Sequence, residues 1–152
     1  MDAEYEIIVE ELDEQMCWRL IARAGFGRIG FVDDEGVVVL PVNIAVNEHR
    51  VVFRTAEHTS LAGCGNGSVV AFEADHTDRM TESGWSVVVR GQLWDVTERV
   101  ETAKWNAYLV RPWAPGPRDR WMMLEPTKVT GRTIQRHRNL PAGARVLRAP
   151  AG

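Results

Sequence analysis

FGRIGFVDDEGVVVLPVNIAVNEHRVVFRT, running from Phe26 to Thr55, consists of three β-rich runs separated by two short polar turns. Phe26 to Val32 meets Asp33-Asp34-Glu35-Gly36, a turn of hydrogen-bonding side chains closed by glycine. Val37 to Leu40 continues past Pro41 to Val46, and Asn47-Glu48-His49-Arg50 turns the chain into Val51 to Thr55. Short connections of this kind join antiparallel neighbours, so the stretch reads as a meander. Pro41 has no N–H for a ladder and marks a strand edge or a bulge. Backbone groups around Pro41, Val42 and Asn43 are therefore candidates to face a ligand.

Upstream, Asp13 is a candidate helix cap, with Leu12 before it and Cys17 as its staple partner. Met16, Cys17, Leu20, Ile21 and Ala24 recur at helical spacing, and Gly25 is a natural stop. A helix this short needs a larger body to pack on. Downstream, Thr59 to Gly63 reads as a brief helical turn, followed by the flexible run Gly63-Cys64-Gly65-Asn66-Gly67. Ser68 to Glu73 is a strand, Asp75 to Gly84 a charged surface loop, and Trp85 to Trp94 the longest strand. Trp85, Val87 and Val89 alternate with Ser86, Val88 and Arg90, and both faces are largely apolar, as in a central or barrel strand. A second helix is predicted over Glu98 to Val110, capped by Thr97 and ended by Pro112. Two further strands are predicted, Trp121 to Leu124 and Val129 to Ile134. No alternation of strands with long helices occurs, so closed or nearly closed antiparallel sheet is expected.

The bulk properties agree with one domain. The chain has 152 residues, 45% of them hydrophobic and 26% charged, enough to bury a core without disulfides or a structural metal. Its net charge of -3 and pI near 5.8 argue against nucleic acid as the main partner. From Arg118 onward the balance turns basic, which suits an anionic ligand, an acidic neighbouring subunit or simply a solvated end. No apolar run is long enough to cross a bilayer. The acidic start, Met1 to Glu14, lacks the pattern of a signal peptide, so a cytoplasmic protein is expected. Cys17 and Cys64 lack metal-ligand spacing, as do the scattered His49, His58, His76 and His137, so no metal site is expected.

The corner Phe53-Arg54-Thr55-Ala56-Glu57-His58-Thr59-Ser60 is the strongest candidate for chemistry. A guanidinium beside Thr55, Thr59 and Ser60 hydroxyls at the start of a helical turn suits a phosphate. The plainer account pairs Arg54 with a surface carboxylate and leaves Thr59 as a cap. Six tryptophans are many for this length, and Trp85, Trp113 and Trp121 stand near arginines. Such rings suit stacking on a planar anionic ligand and a subunit interface equally. No GxGxxG or phosphate-binding loop and no nucleophile elbow occurs, so reactive chemistry would have to come from a cofactor. No catalytic residue stands out.

Phe26-Gly27-Arg28-Ile29-Gly30, Val39-Leu40-Pro41-Val42-Asn43, Val52-Phe53-Arg54-Thr55-Ala56, Trp85-Ser86-Val87-Val88-Val89-Arg90-Gly91 and Arg111-Pro112-Trp113-Ala114-Pro115-Gly116 together resemble the pyridoxamine 5'-phosphate oxidase-like family. The likeness is to its actinobacterial flavin-binding branch, near the nitroimidazole-resistance group, and covers Leu12 to Ile134 in order. It implies a mainly β protein: a six-stranded antiparallel split β-barrel with short flanking helices, dimerising with two FMN sites between subunits. On that likeness, residues 1-11 are an N-terminal extension, 12-137 the flavin-binding domain and 138-152 a tail. Arg54 and Thr55 would hold the FMN phosphate, with Thr59 and Ser60 beside them. Pro41, Val42 and Asn43 would border the ring, and Trp85, Val88 and Arg90 would line the cleft. Trp113, Arg118 and Trp121 would reach in from the partner chain. Related sequences commonly carry lysine where this chain has Ser60, a change that weakens charge-assisted phosphate binding and opens the site to the deazaflavin F420. The implied activity is FMN-dependent oxidation or reduction of a small, planar acceptor. The alternatives are a non-catalytic flavin or F420 binding protein and a cofactor-free dimeric barrel.

Overall fold

The computed structural model describes residues 5–99, 113 and 115–138. They form seven strands, β1 (Tyr5–Glu11), β2 (Phe26–Asp33), β3 (Gly36–Asn47), β4 (Arg50–Thr55), β5 (Ser68–Asp78), β6 (Ser83–Asp95) and β7 (Arg120–Arg138), with one helix, α1 (Glu14–Ala24). The β2–β3–β4 meander is as expected, and all pairings are antiparallel. Sheet order is β1-β7-β4-β3-β2-β5-β6, and a further β6–β7 pairing closes it. Six strands, β2 to β7, thus make the barrel. The seventh, β1, lies in the stretch read as an extension and pairs with the far end of β7.

Long strands serve two neighbours in succession. β3 pairs with β2 through Asn43 and with β4 only from Ile44 onward. Among the described residues, no strand pairs with residues 36–43 on their β4 side, which is where Pro41 is tolerated without a missing ladder bond. This divided pairing makes the barrel a split one, and it opens the edge that carries Pro41, Val42 and Asn43.

Two sequence expectations change. The charged loop 75–84 shrinks to the tip of a longer hairpin, because β5 runs on to Asp78 and β6 begins at Ser83. There the Asp78 carboxylate accepts the N–H groups of Met80 and Thr81, closing the turn. The two strands predicted around Pro126 are one strand of 19 residues. Proline cannot donate to the ladder, but a register shift beside Arg90 and Gly91 absorbs it, and the Thr127 hydroxyl donates to the Arg90 carbonyl at 3.2 Å.

α1 closes one end of the barrel. Met16 N–H donates to the Asp13 carboxylate at 2.7 Å, and Gly25 ends the helix at φ 62°. Its buried face, Cys17, Trp18 and Ile21, joins Ile29, Phe31, Phe53, Phe72, Val87 and Leu124 in the main core. Leu12 and Cys17 flank Gly131 of β7, where a β-carbon would lie 2.6 Å from the Cys17 sulfur. A smaller cluster of Val52, Val96 and Trp121 packs against the opposite face of β4. The helix predicted over Glu98 to Val110 lies outside the described residues from position 100 on, as do the tail residues 139–152.

Candidate functional site

Arg54 and Thr55 end β4, and the chain then turns through Ala56–Gly63. Across the open edge stand Leu40, Pro41, Val42 and Asn43 of β3. These two segments, with Thr59, Leu61 and Arg118, enclose a cavity of about 230 Å³. β4 pairs with β7 so that Arg54 lies opposite Trp121. That register brings Arg118, 64 residues away in sequence, to the same corner.

Arg54 is fixed from two sides. Its Nε donates to the Arg118 carbonyl at 2.9 Å, and its guanidinium lies 5.1 Å from the centre of the Trp121 ring. The surface ion pair offered as its plainer explanation does not occur: among the described residues no carboxylate lies within ion-pair range of Arg54 or Arg118. The nearby acids are engaged by Arg120 instead, which reaches Glu57 and Asp95, each at 3.5 Å. Among the described residues, two guanidinium groups therefore stand without an ion-pair partner at one small cavity, a favourable setting for an anion.

Thr55 is the one buried polar side chain among the described residues. Its hydroxyl meets that of Thr59 at 2.8 Å. The Thr59 hydroxyl also donates to the Ala56 carbonyl at 3.0 Å and accepts the Ala62 N–H at 3.1 Å. With Thr59's proton directed at Ala56, Thr55 is the donor to Thr59. An anion entering the cavity gains a hydroxyl donor only if one of these protons turns toward it.

The wall behind the corner is tied down as well. The Asp95 carboxylate accepts both the N–H and the hydroxyl of Thr97, and the Thr97 hydroxyl accepts the Trp121 N–H at 2.9 Å. Burial works against ionisation of Asp95, but the Thr97 bonds and Arg120 outweigh it and hold the carboxyl below its usual range.

The structure thus brings together Pro41, Val42, Asn43, Arg54, Thr55, Thr59 and Arg118, all of one chain. Trp121 adjoins through Arg54. Trp113 adjoins through its N–H, which donates to the Asn43 side chain at 3.1 Å, and its ring stacks on Phe26 with centres 5.1 Å apart and planes 11° apart. Ser60 points elsewhere: it lines a separate cleft with Asp33, Asp34, Glu35 and Cys64. Trp85 also lies apart, between α1 and the β5–β6 hairpin. Val88 and Arg90 are in register with Pro41 and Val39 on the same outer face, three strands along. That separation is about 14 Å at the usual strand spacing. Leu40, Leu61 and the Asp95–Thr97–Arg120 support were not anticipated. The two leucines read as ordinary apolar residues, and the support depends on long-range register.

The pyridoxamine 5'-phosphate oxidase family model matches residues 13–133. An uncharacterised protein of Mycobacterium tuberculosis is 36% identical over 128 residues, covering 81% of this chain and 84% of that protein. An FAD binding protein from Mycobacterium smegmatis is 34% identical with a TM-score of 0.64, covering 83% of this chain and 98% of that one. A conserved protein of unknown function from Corynebacterium diphtheriae is 27% identical with a TM-score of 0.65, covering 82% and 96%. The match over residues 13–133, the mycobacterial relatives and the shared split barrel place the chain in the pyridoxamine 5'-phosphate oxidase family.

Proposed function

We propose that the chain is a flavin-dependent oxidoreductase acting on a small planar acceptor, with the Arg54 cavity anchoring the cofactor phosphate. The carrying observation is the pair of guanidinium groups, Arg54 and Arg118, without an ion-pair partner among the described residues and beside the Thr55 and Thr59 hydroxyls. FMN is the first choice. The mycobacterial relative that binds FAD supports a flavin in general, and F420 carries the same phosphate chemistry. Bound there, a flavin supplies hydride and electron transfer. Arg54, Arg118 and the threonines hold its charged end, while Pro41, Val42 and Asn43 offer backbone groups along the open edge of β3.

A cavity of about 230 Å³ is too small for a whole flavin, since drug-sized ligands occupy roughly 300–1,000 Å³. The ring must extend onto the outer face of the barrel. Val32, Val37, Val39 and Val69 are exposed on that face. We therefore propose a homodimer in which a second copy covers the ring and supplies Val88 and Arg90.

Purified protein should absorb near about 375 and 450 nm, the bands of oxidised flavin. Arg54→Ala should weaken FMN binding by about 1.5–3 kcal/mol in a fluorescence titration. Protein that takes up neither FMN, FAD nor F420 overturns the reading. One feature favours a second reading, a flavin carrier or sensor: no carboxylate, imidazole or thiol lines the Arg54 cavity among the described residues. Uptake without turnover of NADPH and an acceptor would select it.

A further inference from the structure

We infer that the side-chain amide of Asn43 is a further anchor for the cofactor phosphate, held in its donating orientation by Trp113; the inference rests on the flavin reading above. Phe26 and Asn43 are cross-strand partners on β2 and β3. Trp113 is attached to both. Its ring stacks on Phe26 with centres 5.1 Å apart, and its N–H meets Asn43 Oδ1 at 3.1 Å. A backbone N–H only donates, so the atom it meets is the amide oxygen and the orientation of the group is fixed. The two hydrogens on Nδ2 are then the free end of Asn43, and no hydrogen bond engages them among the described residues.

The place of Asn43 in the fold decides what those hydrogens meet. Ile44 pairs with Phe53, and one step further the same register would set Asn43 opposite Arg54. There the two strands have parted, and Asn43, Arg54 and Arg118 line the cavity between them. Arg54 uses Nε for the Arg118 carbonyl, which leaves its Nη groups without a hydrogen bond among the described residues. The Thr55 and Thr59 hydroxyls are closed on each other. The polar side-chain groups that remain at the cavity are therefore all donors: two guanidinium groups and one carboxamide NH2. The cavity is too small for the ring of a flavin beside its charged end, so the acceptor these donors share is a phosphate oxygen. With its oxygen turned inward the same amide would repel that anion. Trp113 is thus a positioning residue, which acts by keeping the Asn43 oxygen on the β2 side.

Two substitutions separate a phosphate contact from a purely structural tie to Trp113. Asn43→Ala removes both the donor and the acceptor. Asn43→Asp keeps an acceptor for the Trp113 N–H but replaces the NH2 by a charged oxygen. The full-length protein is titrated with FMN, or with FAD or F420 where FMN is not taken up, and the bound phosphate is followed by phosphorus-31 NMR at saturation. Asn43→Ala should weaken binding at least about fivefold, the loss of one hydrogen bond to a charged group, and Asn43→Asp should weaken it further. Both should move the phosphorus signal. Asn43 is half-buried at the open edge of β3, so circular dichroism should show an intact barrel in each variant. If Asn43→Asp binds no more weakly than Asn43→Ala, the side chain serves only to hold Trp113 and the inference is overturned. An unmoved phosphorus signal in Asn43→Ala overturns it as well. Binding that Arg54→Ala weakens and neither Asn43 variant does would leave the flavin reading standing and remove this inference alone. Wild-type protein that takes up none of the three cofactors removes both.

Discussion

Glu73 and Asp75 are two residues apart on β5, so the strand's period of two puts both carboxylates on one face. Arg28 of β2 reaches both, at 3.7 and 3.1 Å. Burial pushes the Glu73 carboxyl above its ordinary 4.5, the Asp75 charge pushes it further, and Arg28 offsets only part of this. The folded protein therefore holds that proton more tightly than the unfolded chain does. The resulting stabilisation is complete below the ordinary value and is lost as pH rises through the folded one. Glu73→Gln fixes the neutral form. In urea titrations its stability relative to wild type should rise between pH 4 and pH 7, by at most about 1 kcal/mol because solvent screens a pair exposed by 45% at Arg28 and 34% at Glu73. A flat or falling difference would refute the account. The nearness of Glu73 and Asp75 follows from their spacing, but their meeting with Arg28 was not legible in the sequence, since it depends on the β2–β5 register. The clustering of Arg54, Thr55 and Thr59 round one cavity was legible because they are close in sequence. Its limit came at Ser60, whose neighbour Thr59 lines the Arg54 cavity while Ser60 itself lines the acidic cleft.

α1 and β7 show what element-level reading captures. Asp13 and Gly25 marked both ends of the helix because capping is local chemistry. The continuity of β7 past Pro126 was missed because it depends on a bulge opposite Arg90 and Gly91, in a strand some 35 residues earlier. The two elements meet at Gly131, whose carbonyl accepts the Leu12 N–H at 2.9 Å. A methyl group there would press on the Cys17 sulfur, with a Val87 methyl and the Leu12 side chain close behind. Gly131→Ala should cost about 1–3 kcal/mol, the scale of overpacking a tight contact. If the sulfur is the main obstruction, Cys17→Ala should relieve part of that cost. Denaturation of the two single variants and the double variant would then show a coupling of at least about 0.5 kcal/mol. Additive losses would mean that the Val87 and Leu12 contacts, not the Cys17 sulfur, require glycine.

At the scale of the whole molecule, closure by β6 and β7 creates an inside and an outside, and the outside is unusually apolar around β2, β3 and β5. Val37 and Val69 are 80% and 78% exposed. Register places Val37 beside Val32 and Val39 beside Gly30, which in turn pairs with Ala71, so these side chains form one patch rather than scattered residues. Sequence alternation could not expose this, because valines on the two faces of a barrel strand look alike until the core is known. The patch adjoins the row Val39, Gly30, Ala71 and Arg90, which borders the face on which a cofactor ring would rest. If a second copy covers it, dimerisation and cofactor binding are linked, and each should strengthen the other. Val37→Glu with Val69→Glu places two charges in the patch without touching the core or the Arg54 cavity. Light scattering should show monomers, circular dichroism an intact barrel, and titration a weaker affinity for FMN. Dimers that persist in the double variant would move the interface to another face. Monomers that bind FMN as tightly as wild type would show that one chain holds the cofactor alone.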